Sequence, residues 1–287
     1  MSIGPQSAFP PPSATVHATF GARSRRGQGR SVNEDHFAVI QLGRHQETLL
    51  TSLPLSDMPQ RFDEFGHAML VADGAGEDGS GETASRLAIE TLAQLMLHFG
   101  RWNLRVNEQI AREMMDRAER FIEHVNTVMA ASKRAADGIK QESTLTAIFG
   151  AGRDLFFAHV GHSRAYLLRD HLLMRLTRDH THAAAADLSM APLIDIKVAS
   201  RDLAHILTGM LGARSALAID LERFRILDHD RILICTNGLT DVVEPQVIGA
   251  LLGTAQTPDE QCAALLDAAK GSRDDATVVV AHYRVPR

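Results

Sequence analysis

Cysteine is nearly absent. Only Cys235 and Cys262 occur in 287 residues, too few for a disulfide framework, and neither stands in a CxxC pair of the kind that holds zinc or carries redox chemistry. A reducing, cytoplasmic compartment is the plain expectation. Positive charge is not in excess either. The 30 Lys and Arg residues against 35 Asp and Glu give a formal charge of −5, and the basic residues are scattered, which excludes the basic field that nucleic acid or anionic lipid requires. The expected partner is a protein or small molecule, with no nucleic acid and no membrane. Long apolar runs are missing as well. The opening MSIGPQSAFPPPSATVH has no apolar stretch of signal-peptide length behind a basic end, and no later segment is long and uncharged enough to span a bilayer. Pro10, Pro11 and Pro12 disfavour helix and sheet interiors, so residues 1–13 read as a disordered tail ahead of one domain over 14–287.

What is present is a change of hydrophobic period along the chain. ATVHATFGARS (Ala14 to Ser24), DHFAVIQL (Asp35 to Leu42) and HAMLVAD (His67 to Asp73) have the β-branched and apolar content of strands. The stretch from Gly43 to Gly66 holds Pro54 and Pro59 in mixed polarity and reads as an exposed insertion. From Gly81 the period becomes helical, with Ala84, Leu87, Ala88, Leu92 and Leu95 on one face, and a second helix is expected between Asn103 and Ser132. Short strands follow over 143–151, 154–161, 164–170 and 172–177, joined by hairpin-length turns. Glu222 to Thr236 reads as two strands around an Asp-His-Asp turn, Pro258 to Ala269 as a helix, and Ala276 to Val285 as a closing strand. Strands, a helix pair and more strands argue for a layered α+β fold and against alternating βαβ units.

Acidic residues recur where strands end: Glu34 and Asp35, then Asp73, then Asp274 and Asp275. Short carboxylates at strand ends suit hard divalent cations, although each of them alone is better read as a turn cap. Gly74, Gly76 and Gly79 spell GxGxxG, but Asp73, Glu77 and Asp78 would set carboxylates against a pyrophosphate, and the following helix leads to another helix. Cys235 lacks the phosphate loop and downstream arginine of a cysteine phosphatase.

Five ordered segments carry a resemblance. GQGRSVNED (Gly27 to Asp35), VADGAGEDGSGETAS (Val71 to Ser85), the stretch from Ser143 to Thr181 with VGHSR and LTRDH, DRILICTNGLTDVV (Asp230 to Val243) and GSRDDATVVV (Gly271 to Val280) resemble the metal-dependent serine/threonine protein phosphatases of type 2C (PPM), as a divergent bacterial-type member. The resemblance implies a four-layer αββα sandwich of two mainly antiparallel sheets flanked by helix pairs. It implies two Mn2+ or Mg2+ ions, with a weaker third, held by Asp73, the Gly74 carbonyl, Glu34, Asp35, Asn237, Asp274 and His162. Arg30 would face the phosphate and Asp73 would bridge the two ions. The substrate implied is a phosphorylated protein, with the phosphatase opposing a serine/threonine kinase.

The pattern is not complete. Asn237 stands where the family has Asp, so one ligand loses its charge, and His162 stands where relatives have an Asp at the third site. These departures keep open the alternative of a weak or inactive pseudophosphatase that binds a phosphoprotein or regulatory partner. Ala75, Glu77, Asp78 and Asp275 are smaller departures, the extra acids either adding charge near the cations or simply facing water.

Overall fold

The computed structural model describes residues 16–58, 60–76, 79–100, 106–135, 141–181, 209–213 and 217–286. The expected tail at 1–13 and the acids Glu77 and Asp78 lie outside the described residues.

Two antiparallel sheets form the middle of the molecule. One orders β1 (His17–Arg25), β11 (Ala276–Arg284), β10 (Arg231–Cys235), β7 (Arg164–Arg169) and β8 (Leu172–Arg175). The other orders β2 (Asp35–Glu47), β3 (Arg61–Gly76), β5 (Leu145–Ala151), β6 (Asp154–Val160) and β9 (Asp220–Arg225), with β4 (Gln141–Ser143) paired to the end of β3. The helices α1 (Ser80–Phe99) and α2 (Glu108–Ala135) cover the outer face of the second sheet. On the first sheet lie α4 (Pro245–Leu252) and α5 (Pro258–Ala268), preceded by the single turn α3 (Asn237–Thr240).

Period-two alternation explains the layering. In β10, Ile232 and Ile234 pack between the sheets with Val279 and Ala281 of β11, while Leu233 and Cys235 turn outward to Cys262, Leu265 and Leu266 of α5. In β3, Met69 and Val71 face the other sheet, and Ala68, Leu70 and Ala72 face Ala88, Leu92 and Val125 of the helix pair. β10, β11 and the Ala68–Ala72 part of β3 are thus buried on two faces, each full burial of a Val, Leu or Ile contributing about 1.5–3 kcal/mol. The result is the αββα sandwich expected. Local signals agree with it: α5 opens with a complete capping box between Thr257 and Glu260 and with Pro258 in its first turn.

One expectation is corrected and two elements are added. The stretch 43–66 is not simply an inserted loop, because β2 runs on to Glu47 and β3 starts at Arg61, forming a projecting two-stranded ribbon with Gly43 opposite Phe65 and Glu47 opposite Arg61. Its cross-strand contacts, the Arg44–Glu64 ion pair and the His45–Asp63 hydrogen bond, are polar and exposed, so no apolar alternation marks it. The helices α3 and α4 were not anticipated at all. Among the described residues, no helix is long and apolar enough to cross a membrane.

Candidate metal centre

The alternation that builds the core also aims the acids. Continuing the inward face of β3 past Met69 and Val71 brings Asp73 to the rim between the sheets, and the same count along β2 from Val39 brings Asp35 there. The two are direct cross-strand partners. From the opposite sheet, Thr236 follows Ile234 inward and donates its hydroxyl to Asp35 Oδ2 at 2.8 Å. Thr277, its neighbour on β11, donates its main-chain N–H to Thr236 Oγ1 at 2.9 Å. Asp35 is therefore fixed from across the sandwich, yet its Oδ1 is buried without a hydrogen-bond partner.

Glu34 and Gly74 meet at the start of α1. The Gly74 N–H donates to the Glu34 carbonyl at 3.1 Å, and the Ser85 hydroxyl donates to the same carbonyl at 2.5 Å. The approach of β3 to the helix leaves no room for side chains: a Cβ on Gly74 would lie 1.8 Å from the Gly81 carbonyl oxygen. A Cβ on Gly81 would lie 2.7 Å from both Glu34 Oε1 and the Gly74 carbonyl oxygen. Those two oxygens thus flank one point, a cradle that a single methyl group would fill.

Asp274 enters from the loop before β11. One of its oxygens receives Arg30, and the other receives Asn237 Nδ2 at 3.1 Å. Asn237 Nδ2 also donates to Asp241 at 3.2 Å; both neighbours are acceptors, which fixes the amide orientation. Asn237 Oδ1 is left buried with no hydrogen-bond partner. Arg30 spans the centre, donating to Glu34 Oε2 at 2.5 Å and to Asp274. His162 sits on the other side, its Nδ1 3.9 Å from Asp73 Oδ2. The structure thus brings together every residue singled out for this site.

Electrostatics describe a region short of positive charge. Burial, with Asp35 and Asp274 close by, lifts the Asp73 carboxyl well above the usual carboxylate range. Burial also pushes Asp35 up to about 7 against the hydroxyls of Thr236 and Thr277, and raises Glu34 against the pull of Arg30. Carboxyls crowded and desolvated in this way take up either protons or cations.

The donor set fits hard divalent ions. Four carboxylates, a main-chain carbonyl and an amide oxygen are all oxygen donors, and two of them, Asp35 Oδ1 and Asn237 Oδ1, are buried acceptors with nothing to accept. Among the described residues, no three His, Cys, Asp or Glu side chains are already drawn close enough to hold an ion. The Arg30 guanidinium and the Asn237 amide donate to the two oxygens of Asp274, and Arg30 also to one of Glu34.

Sequence reasoning missed three contributors. Asp275, read as either added charge or a solvated acid, is not solvated: it is 2% exposed, its two oxygens accept the N–H groups of Gly27 at 2.8 Å and Glu34 at 2.7 Å, and its charge helps raise Glu34, Asp35 and Asp73. It pins both ends of the segment carrying Arg30. Thr236 and Gly81 lay inside quoted motifs, but their partners come from distant segments that no local pattern reveals.

Comparison with known proteins bears on the family and the fold. The sequence profile of the family described as Protein phosphatase 2C matches residues 53–266. The serine/threonine phosphatase stp of Listeria monocytogenes is 26% identical over 268 residues, covering 92% of this chain and 95% of the relative. The serine/threonine protein phosphatase PstP of Mycobacterium tuberculosis is 29% identical over 280 residues; the match covers 93% of this chain but 45% of PstP. Among solved structures, the M. tuberculosis phosphatase PstP/Ppp superposes with a TM-score of 0.70 at 26% identity, covering 92% of this chain and 98% of that one. The catalytic domain of PstP in complex with two manganese ions gives 0.71 at 26% identity, covering 94% and 100%. With the profile spanning most of its length and the fold shared throughout, this chain belongs to the protein phosphatase 2C family.

Proposed function

We propose that the chain is a metal-dependent phosphatase that hydrolyses phosphoserine and phosphothreonine in proteins. Two divalent cations, Mn2+ or Mg2+, would be held by Asp73, the Gly74 carbonyl, Glu34, Asp35, Asn237 and Asp274, with His162 beside Asp73 available to a weaker third. The single observation carrying this reading is the facing pair Asp35 and Asp73, buried at the rim of the sandwich, with an unsatisfied acceptor on Asp35 and a second on Asn237. The related PstP domain, solved with two manganese ions, supports Mn2+ as the ion.

When bound, such an ion pair supplies a water acidic enough to attack near neutral pH and neutralises charge on the phosphoryl oxygens. The chain itself does the holding and the aiming. Thr236 fixes Asp35 through Oδ2 and leaves Oδ1 without a hydrogen-bond partner. Asp275 fixes the main chain of Gly27 and Glu34, and so the position of Arg30. With Glu34 and Asp274 holding a cation, the planar fork of Arg30 would donate in pairs to phosphate oxygens instead. A phosphoprotein substrate must be supplied by a serine/threonine kinase, the reaction this enzyme would oppose. The two free, buried cysteines are consistent with a reducing cytoplasm.

The test is hydrolysis of a phosphothreonine peptide by the purified chain in millimolar Mn2+, beside Asp73→Asn. Turnover on the order of one per second is expected, falling at least a hundredfold in the variant. No metal-dependent turnover above the variant would overturn the enzymatic reading. A phosphoprotein-binding module would then remain, the reading favoured by the engagement of both Asp274 oxygens by Arg30 and Asn237.

A further inference from the structure

Asp73 lies at a break in its sheet. The β3–β5 ladder ends with Val71 opposite Thr146, and the β3–β4 pairing begins with Gly74 opposite Ser143. Between them Asp73 stands opposite Thr144. The Thr144 N–H donates to the Asp73 carbonyl at 2.9 Å, as a ladder bond would. The return bond is different: the Asp73 N–H donates at 3.0 Å to the Thr144 side-chain Oγ1. The Ser143 hydroxyl lies 2.8 Å from the Thr144 carbonyl and 3.1 Å from the Asp73 carbonyl. The peptide groups on both sides of the Asp73 Cα are thus held by two consecutive hydroxyl residues.

A hydroxyl that accepts one N–H still has its own proton to give. Thr144 Oγ1 is 2.8 Å from Ser163 Oγ, and Ser143, Thr144 and Ser163 are all fully buried. Ser163 follows His162, the residue facing Asp73. The turn leading to His162 is packed against the same threonine, because Gly161 has a φ of +111° and a Cβ there would lie 2.5 Å from Thr144 Cγ2. His180 secures the far side of that turn, accepting the Gly161 N–H through Nδ1 at 3.2 Å and donating its own main-chain N–H to the Gly161 carbonyl at 2.7 Å.

We propose that Thr144 is a positioning residue of the phosphatase centre, its hydroxyl joining the Asp73 main chain to Ser163 and so setting Asp73 against His162. The proposal rests on the phosphatase reading for its effect on turnover, but its structural content does not. The competing explanation is that Thr144 only satisfies a frayed strand end. Thr144→Val separates the two, since it keeps the shape and removes the hydroxyl, while Thr144→Ser keeps the hydroxyl and removes a methyl.

Four readouts are compared in wild type and both variants: kcat and KM on a phosphothreonine peptide, Mn2+ affinity by calorimetry, the NMR resonances of the His162 ring, and Tm. In Thr144→Val, kcat is expected to fall 10- to 100-fold, the range found when groups supporting metal ligands are removed. KM should stay within about twofold, Mn2+ affinity should weaken about tenfold, and the His162 resonances should move. Thr144→Ser should recover wild-type kcat to within about threefold. The proposal is overturned if Thr144→Val lowers Tm but leaves kcat, affinity and the His162 resonances unchanged, or if Thr144→Ser is as impaired as Thr144→Val. A wild-type chain with neither turnover nor Mn2+ binding would sink the phosphatase reading instead. The His162 resonances would then decide alone: unmoved in Thr144→Val, they overturn the positioning role, and moved, they support it.

Discussion

Asp35 and Asp73 hold their protons in the folded, metal-free chain at pH values where the unfolded chain has released them. For groups raised in this direction, stability is fullest below the ordinary carboxylate range and is lost as pH rises through about 7, the value for Asp35. A cation ligand must be deprotonated, so Mn2+ binding has to expel whatever proton remains. Calorimetry in buffers of different protonation enthalpy should show more protons released at pH 6 than at pH 8, with weaker binding at pH 6. Equal release at both would contradict the assignment of these carboxyls to the metal. Asn237 makes a second prediction at this scale. Asn237→Asp removes the N–H that Asp274 accepts and adds a like charge beside it, so Tm without metal should fall. The same added charge should tighten Mn2+ binding by roughly tenfold, ligand charge being a main determinant of affinity in oxygen sites. Unchanged affinity would show that Asn237 does not face the ion.

The segment from Gly27 to Glu34 is an element without regular structure, and Asp275 is what gives it shape. Replacing Asp275 with Ala leaves the buried N–H groups of Gly27 and Glu34 without acceptors, each costing about 1–3 kcal/mol. Urea denaturation should register that loss, with Asp275→Asn, which retains one acceptor oxygen, falling in between. Elements also show where sequence is informative. Core strands such as β10 and β11 were legible because both faces are buried and their residues are β-branched. The ribbon over 43–66 was not, because its cross-strand pairs are charged and Pro54 signals only a break. The turn α3 has four residues, too few to show a helical period, whereas α4 did carry a start signal in Pro245 and a stop in Gly253 that went unread. In the centre, Glu34, Asp35, Asp73 and Asp274 were visible as acids at strand ends within motifs. Asp275 was visible as an acid but not in its role, and Thr236 and Thr144 were not visible, because these roles lie in hydrogen bonds to main chain and side chains far off in sequence.

On the scale of the whole molecule, the sandwich excludes water from groups that then titrate abnormally. His159 is fully buried between β5 and the loop after β8, its Nδ1 accepting from Thr146 and its Nε2 facing the carbonyls of Gly161 and Arg178. Burial pushes it down to about 4. For a group lowered in this direction the unfolded chain takes up a proton near pH 6.5 and the folded chain does not until about 4, so folding is progressively disfavoured as pH falls through that window, by on the order of 3 kcal/mol in all. His159→Gln should lose less stability than wild type between pH 6.5 and pH 4.5 in urea titrations, and an identical loss would show that His159 does not set the acid limit. The same two-sided sandwich places strand-end acids from both sheets at one rim, where they would cage a pair of cations. Crystals grown with Mn2+ and measured at the manganese absorption edge test it most directly. Two anomalous peaks are expected among Glu34, Asp35, Asp73, the Gly74 carbonyl, Asn237 and Asp274, with the Arg30 guanidinium withdrawn from Asp274. No peak at that rim, with Arg30 still bridging Glu34 and Asp274, would contradict it.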